Sequence, residues 1–96
     1  MEIEVAFRAR DDLRGIYGYL VERSPGAADR LLARFSERFE ELRRFPMLGR
    51  DRSELGASLR GLLVENYVVF YLVEAERVVI VRVLDGRMDM DREMSQ

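Results

Sequence analysis

The sequence predicts an α+β fold in the order β-α-α-β-β-β: an antiparallel helix hairpin packed on one face of a four-stranded, mainly antiparallel sheet. Three observations predict it. The chain opens on a short stretch that alternates apolar and polar residues. Two long stretches follow whose apolar residues recur every three or four positions. Three apolar runs then succeed one another, separated only by short polar turns.

The opening stretch, Glu2–Phe7, places Ile3, Val5 and Phe7 on one face and Glu2, Glu4 and Ala6 on the other, as a half-buried strand does. Residues Ala9–Arg23 read as a helix with Ala9, Leu13, Ile16, Tyr17 and Leu20 on its apolar stripe. Gly15 and Gly18 each cost about 1 kcal/mol against Ala in a helix interior, so each marks either a close backbone approach or a tolerated defect. The second helix, Ser24–Phe45, has Ser24 as N-cap and Pro25 at its first position. Its stripe is Ala28, Leu31, Leu32, Phe35, Phe39 and Leu42. The very short joint makes the two helices a hairpin. Pro46 stops the second helix and opens a charged loop, Pro46–Ser58. Leu59–Glu65, Tyr67–Val73 and Val78–Leu84 are the strands of a meander with turns at Glu65-Asn66 and Glu74–Arg77, and the first strand joins one edge. The polar tail, Asp85–Gln96, is expected to fray at its end.

Ninety-six residues suffice for one domain, 1–96, with one modest core. The chain has no cysteine, which excludes disulfides and thiolate chemistry, and no histidine, which removes the commonest proton shuttle and metal ligand. Every basic residue is arginine. The net charge of −2 and pI near 5.2 argue against a nucleic-acid-binding surface, which normally carries a basic excess. No apolar run reaches the ~18 residues of a membrane span. There is no charged-then-apolar leader, so a cytoplasmic protein is expected.

The meander strands are apolar on both faces. Tyr67, Val69, Tyr71 and Val73 point one way, and Val68, Phe70 and Leu72 the other; Val79, Val81 and Val83 oppose Val78, Ile80 and Leu84. Two helices cover one face only, and an open antiparallel face is normally polar. Another molecule is the expected cover of the second face. The alternative is that the Pro46–Ser58 loop and the tail fold back over it.

These residues carry a resemblance. "RFPMLGRDRSEL", "LRGLLVENYVVFYLV" and "VVIVRVLDGRMD" resemble the RelE/ParE superfamily of bacterial toxins from toxin–antitoxin operons, and the ParE branch in particular. The residues that match are Pro46, Gly49, Arg50, Leu59, Arg60, Tyr67, Phe70, Tyr71, Arg82, Val83, Leu84, Gly86, Arg87 and Asp89. Asp85 stands where the family usually has His, and Met88 where it has a second Arg. The resemblance implies a toxin that inhibits DNA gyrase by binding and is neutralised by a ParD-like antitoxin in a hetero-oligomer. RelE-like relatives instead cut mRNA on the ribosome. An inactive relic that only binds antitoxin is a third possibility, raised by Asp85 and Met88.

The resemblance and the residue chemistry together set the candidate sites. Arg60, Arg82 and Arg87 are expected to cluster at one end of the meander and contact the target, with Tyr67 and with Asp85 locking an arginine in place. The alternative partner for Arg82 is Asp85 or Glu65 in a purely structural ion pair. RNA cleavage needs a base, an acid and free cations. A carboxylate at position 85 would repel phosphate, so no catalytic residue is assigned. Arg30, Arg34 and Arg38 form a ridge on the second helix, relieved by Glu37 and Glu41, that is expected to receive acidic antitoxin residues. Tyr19, Val69 and Tyr71 complete the expected antitoxin surface. Asp85, Asp89, Asp91 and Glu93 do not match a calcium-loop spacing, and no metal, cofactor or membrane contact is expected.

Overall fold

The computed structural model describes residues 1–95. The elements are β1 (Glu2–Val5), α1 (Phe7–Arg23), α2 (Pro25–Arg44), β2 (Arg50–Asp51), β3 (Arg60–Val64), β4 (Tyr67–Val73), β5 (Arg77–Asp85) and α3 (Met90–Met94). The sheet has five strands among the described residues, in the order β1-β5-β4-β3-β2. The fifth is the two-residue β2, cut from the loop expected at 46–58, which pairs antiparallel with β3. β1 runs parallel to β5, and the meander pairs are antiparallel.

Local chemistry sets the helix ends. Ala6 still donates its N–H to the Ile80 carbonyl at 2.9 Å, and its own carbonyl already accepts from Arg10 at 3.0 Å. The chain therefore turns from strand to helix two residues earlier than its alternation suggests. Phe7, expected in the strand, leaves the core and is 77% exposed. One residue joins the two helices: the Ser24 N–H closes α1 on the Leu20 carbonyl, and its Oγ accepts from the Ala27 N–H to start α2. Nothing lies within 4 Å of where a Cβ would sit on Gly15 or Gly18, so both glycines are tolerated, not required by packing.

The core lies between hairpin and sheet. Ala9, Phe35 and Leu42 from the helices meet Leu62, Val64, Val69, Tyr71, Val78, Ile80 and Val83. Each fully buried aliphatic or aromatic side chain there contributes about 1.5–3 kcal/mol relative to exposure. β5 departs from strict alternation. Phe70 pairs with Arg82 but Tyr71 pairs with Ile80, so Val81 is an extra residue bulged from the ladder. A bulge reverses the phase beyond it. Val83 thus joins Val78 and Ile80 on the helix side, and Leu84 joins Val81 on the other, the reverse of the simple alternation.

The second face is covered by the chain itself, which corrects the expectation of another molecule. Leu55 from the 46–58 loop, Leu59 just ahead of β3, and Met90 and Met94 from α3 pack on Phe70 and Leu84, with Val68, Leu72 and Val81 partly buried around them. Phe70 is fully buried. The tail, expected to fray at its end, forms α3, capped by the Asp89 carboxylate on the Arg92 N–H. Only its last residue, Gln96, lies outside the described residues. Leu63, on the same face, remains 62% exposed.

Candidate functional site

A groove of about 490 Å³ opens where α1 crosses the C-terminal half of β5. α1 supplies Asp11, Asp12, Ile16 and Tyr19; β4 supplies Tyr67; β5 and the turn after it supply Arg82, Asp85, Arg87 and Met88; α3 supplies Glu93. Tyr67 sits opposite Asp85 in the β4–β5 register, so the strand pairing itself places these two side by side.

Two ion pairs organise the groove. Arg82 donates from Nε to Asp12 Oδ2 at 2.8 Å and from Nη2 to Asp12 Oδ1 at 3.0 Å. The Val83 N–H, next to the bulge, also donates to Asp12 Oδ2 at 2.9 Å. Arg82 Nη1 reaches the Glu93 carbonyl at 3.4 Å, so one guanidinium ties α1, β5 and α3 together. Its bonds to Asp12 hold the guanidinium more firmly protonated than usual. Neither Asp85 nor Glu65 is its partner.

The second pair is local. Asp85 Oδ1 accepts from the Arg87 N–H at 2.9 Å and from Arg87 Nε at 3.0 Å, while Oδ2 accepts from Nη2 at 2.7 Å. These bonds, the side-chain pair foremost, pull the Asp85 carboxyl down from 3.8 to about 2. Gly86 donates its N–H to the Asn66 carbonyl, which holds the Asp-Gly-Arg turn against the β3–β4 turn. A Cβ on Gly86 would lie 3.2 Å from that carbonyl. Burial, and then the Asp85 charge, push the Tyr67 phenol above its ordinary value. At pH 7 it is a protonated phenol. Asp11, Asp12, Asp85 and Glu93 outnumber the two guanidinium groups, and each guanidinium already faces a carboxylate. Such a surface suits contact with a protein and does not suit phosphate.

The groove thus brings together Tyr67, Arg82, Asp85 and Arg87, with Tyr19 beside them. Arg60 does not join them. It lies opposite Tyr71 on β3, and its guanidinium donates to the Gly49 and Met47 carbonyls at 3.0 and 3.3 Å. The expected arginine cluster is therefore a pair, and Arg60 braces a loop. Tyr19 is 58% exposed, with Arg23 stacked 3.6 Å from its ring centre.

The arginine ridge of α2 is largely neutralised. Arg34 pairs with Glu37 and Glu65, Arg38 with Glu41, and Arg38 also donates to the Leu63 carbonyl. Arg30 is exposed. Val69 and Tyr71 are fully buried against the hairpin, so neither offers side-chain surface to an antitoxin. This corrects their assignment: strand alternation tells which face they take, and that face is the core. Asp12 is the groove residue that periodicity alone overlooks. It sits three residues after Ala9 and four before Ile16, inside the apolar stripe, and a carboxylate there demands a buried partner.

Comparison with known proteins agrees with this architecture. The chain is 43% identical over 65 residues to Toxin ParE3 of Caulobacter vibrioides, a match covering 68% of this chain and 65% of that protein. It is 36% identical over 85 residues to Toxin RelE3 of the same organism, covering 84% and 89%. The chromosomal ParDE toxin–antitoxin system of P. aeruginosa contains a chain of the same fold, with a TM-score of 0.75 at 22% identity over 88% of this chain and 95% of that one. The family model for the ParE toxin of the parDE type II toxin–antitoxin system matches residues 3–90. That span takes in the hairpin, the meander and the groove's Asp-Gly-Arg turn, and the chain belongs to the ParE toxin family.

Proposed function

We propose that this chain arrests cells by binding DNA gyrase, with no bond chemistry of its own, and that a ParD-like antitoxin holds it inactive in the cytoplasm. The observation that carries the reading is the pairing of both groove arginines. Arg82 is held by Asp12, and Arg87 by Asp85. Ribose cleavage requires cations free to meet developing phosphate charge and a group ready to take a proton. Tyr67 is too weak an acid to serve as base at pH 7, and Asp85 is too weak a base. A protein target needs neither. Arg87 is an available contact in the groove, its side chain 82% exposed yet held in one orientation by Asp85. The antitoxin reading is supported by the family and by the likeness to a chain of a ParDE system.

The identity to Toxin RelE3 favours a second reading, mRNA cleavage on the ribosome. Inducing this chain alone in bacteria and pulse-labelling DNA, RNA and protein synthesis separates the readings. Early loss of DNA synthesis with a DNA-damage response is expected. Early loss of protein synthesis overturns the gyrase reading in favour of the ribosome. Normal growth marks a relic that only titrates antitoxin.

A further inference from the structure

The segment between α2 and β2 presents apolar side chains outward from a tightly held backbone. Phe45 is 60% exposed, Met47 63% and Leu48 43%. The Tyr71 hydroxyl donates to the Pro46 carbonyl at 2.7 Å and accepts from the Gly49 N–H at 2.8 Å. Arg60 holds the Met47 and Gly49 carbonyls, and the Leu48 N–H closes a turn on the Phe45 carbonyl at 3.0 Å. A fully buried tyrosine and a half-buried arginine thus direct their hydrogen bonds to fixing this loop. A surface already rigid before contact loses little entropy on binding.

Its rim is positive. Arg44 and Arg50 have no ion-pair partner among the described residues; Arg44 lies 5.9 Å from the Phe45 ring. Arg43 approaches Glu40 only at 3.8 Å. The nearby Asp51 carboxylate is turned to the Ser53 N–H. Unpaired guanidinium groups thus flank the exposed apolar side chains of this loop, whereas Arg34 and Arg38 on the α2 ridge are paired.

We infer that residues 43–50 are the docking site for an acidic stretch of the antitoxin, which sets apolar side chains on Phe45, Met47 and Leu48 and carboxylates against Arg44 and Arg50. This rests on the antitoxin-bound state proposed above. A long-lived partner fits better than a transient target, because permanent interfaces are the more apolar class. None of these residues lines the groove, so the anchor is separate from it.

The test is calorimetric titration of the purified full-length chain with the purified antitoxin encoded in the same operon. Two double variants are compared with the parent: Phe45→Ser with Met47→Ser, and Arg44→Glu with Arg50→Glu. Each is expected to raise Kd at least about tenfold, as loss of a central contact does, with an unchanged melting curve. The loss in the charge variant is expected to shrink near ~0.5 M salt, where exposed charges are screened, and that in the apolar variant to persist. Parental affinity in both variants overturns the docking site while leaving the antitoxin reading intact. No binding by the parent chain overturns the antitoxin reading itself, and the docking site with it.

Discussion

Asp12 and Arg82 are joined by both carboxylate oxygens, at 2.8 and 3.0 Å, with side chains only 15% and 12% exposed. The pair links the first helix to the strand at its bulge. Removing Asp12 leaves the nearly buried Arg82 without its carboxylate and the Val83 N–H without its acceptor. Asp12→Ala is expected to cost about 3 kcal/mol in urea denaturation. The double variant Asp12→Ala/Arg82→Ala is expected to cost at least about 1 kcal/mol less than the two single costs together. Strict additivity would show that the pair does not act as a unit.

Tyr71 and Gly49 form a second coupled contact. A Cβ on residue 49 would lie 2.7 Å from the Tyr71 hydroxyl and 2.8 Å from the Gly61 carbonyl, so both side chain and backbone must move. Gly49→Ala is expected to destabilise by about 1–3 kcal/mol. Tyr71→Phe, which leaves the Gly49 N–H and Pro46 carbonyl without their partner, is expected to cost a similar ~1–3 kcal/mol. Thermal melts of the two single variants and the pair check both values and their overlap.

Gly18 is the opposite case, with nothing within 4 Å of the position a methyl group would take. Gly18→Ala is expected to stabilise the chain by about 0.5–1 kcal/mol through helix propensity alone. A loss of stability on denaturation would reveal a contact at that face of α1.

The Asp85–Arg87 pair sets an acid limit. Asp85 is depressed from 3.8 to about 2. A depressed carboxyl stabilises the fold above its unfolded value and loses that contribution as pH falls through its folded value. The contribution of this pair is therefore full at pH 5 and above and fades between about 4 and 2. Carboxyl-carbon NMR titration is expected to show Asp85 near its depressed value in the parent chain and returned toward the ordinary range in Arg87→Ala. Identical titrations in both chains would refute the lock. Because the Arg87 side chain is exposed, solvent screens the pair and its contribution is small, so the same variant is expected to stay folded at pH 7 while losing growth arrest on induction.

The hairpin and meander are legible in the sequence because their periods are regular. Ser24 and Pro25 mark the helix joint, and the two turns of the meander fall where apolar runs break. Other features are hidden for physical reasons. β2 has two residues, too few for any period. The bulge at Val81 leaves no composition signature, since every residue from Val78 to Val81 is aliphatic. The self-covered second face depends on Leu55, Leu59, Met90 and Met94, apolar residues scattered through charged segments. In the groove, Tyr67 and Asp85 meet by strand register and Arg87 follows by a local turn, so three of the five target candidates are within reach of the sequence. Arg82 is also there, but its partner, Asp12, is 70 residues away and only the tertiary fold brings it close. Arg60 belongs elsewhere, and its neighbours on β3 say nothing of the loop above it.

Proposed binding to gyrase through the groove is tested most directly by a supercoiling assay. Purified chain is added to purified DNA gyrase with relaxed plasmid and ATP, with and without the antitoxin. The expected result is a dose-dependent loss of supercoiling, relieved by antitoxin and absent with Arg87→Ala. Undiminished supercoiling in excess of well-folded chain, in an assay that responds to a known gyrase poison, would contradict it.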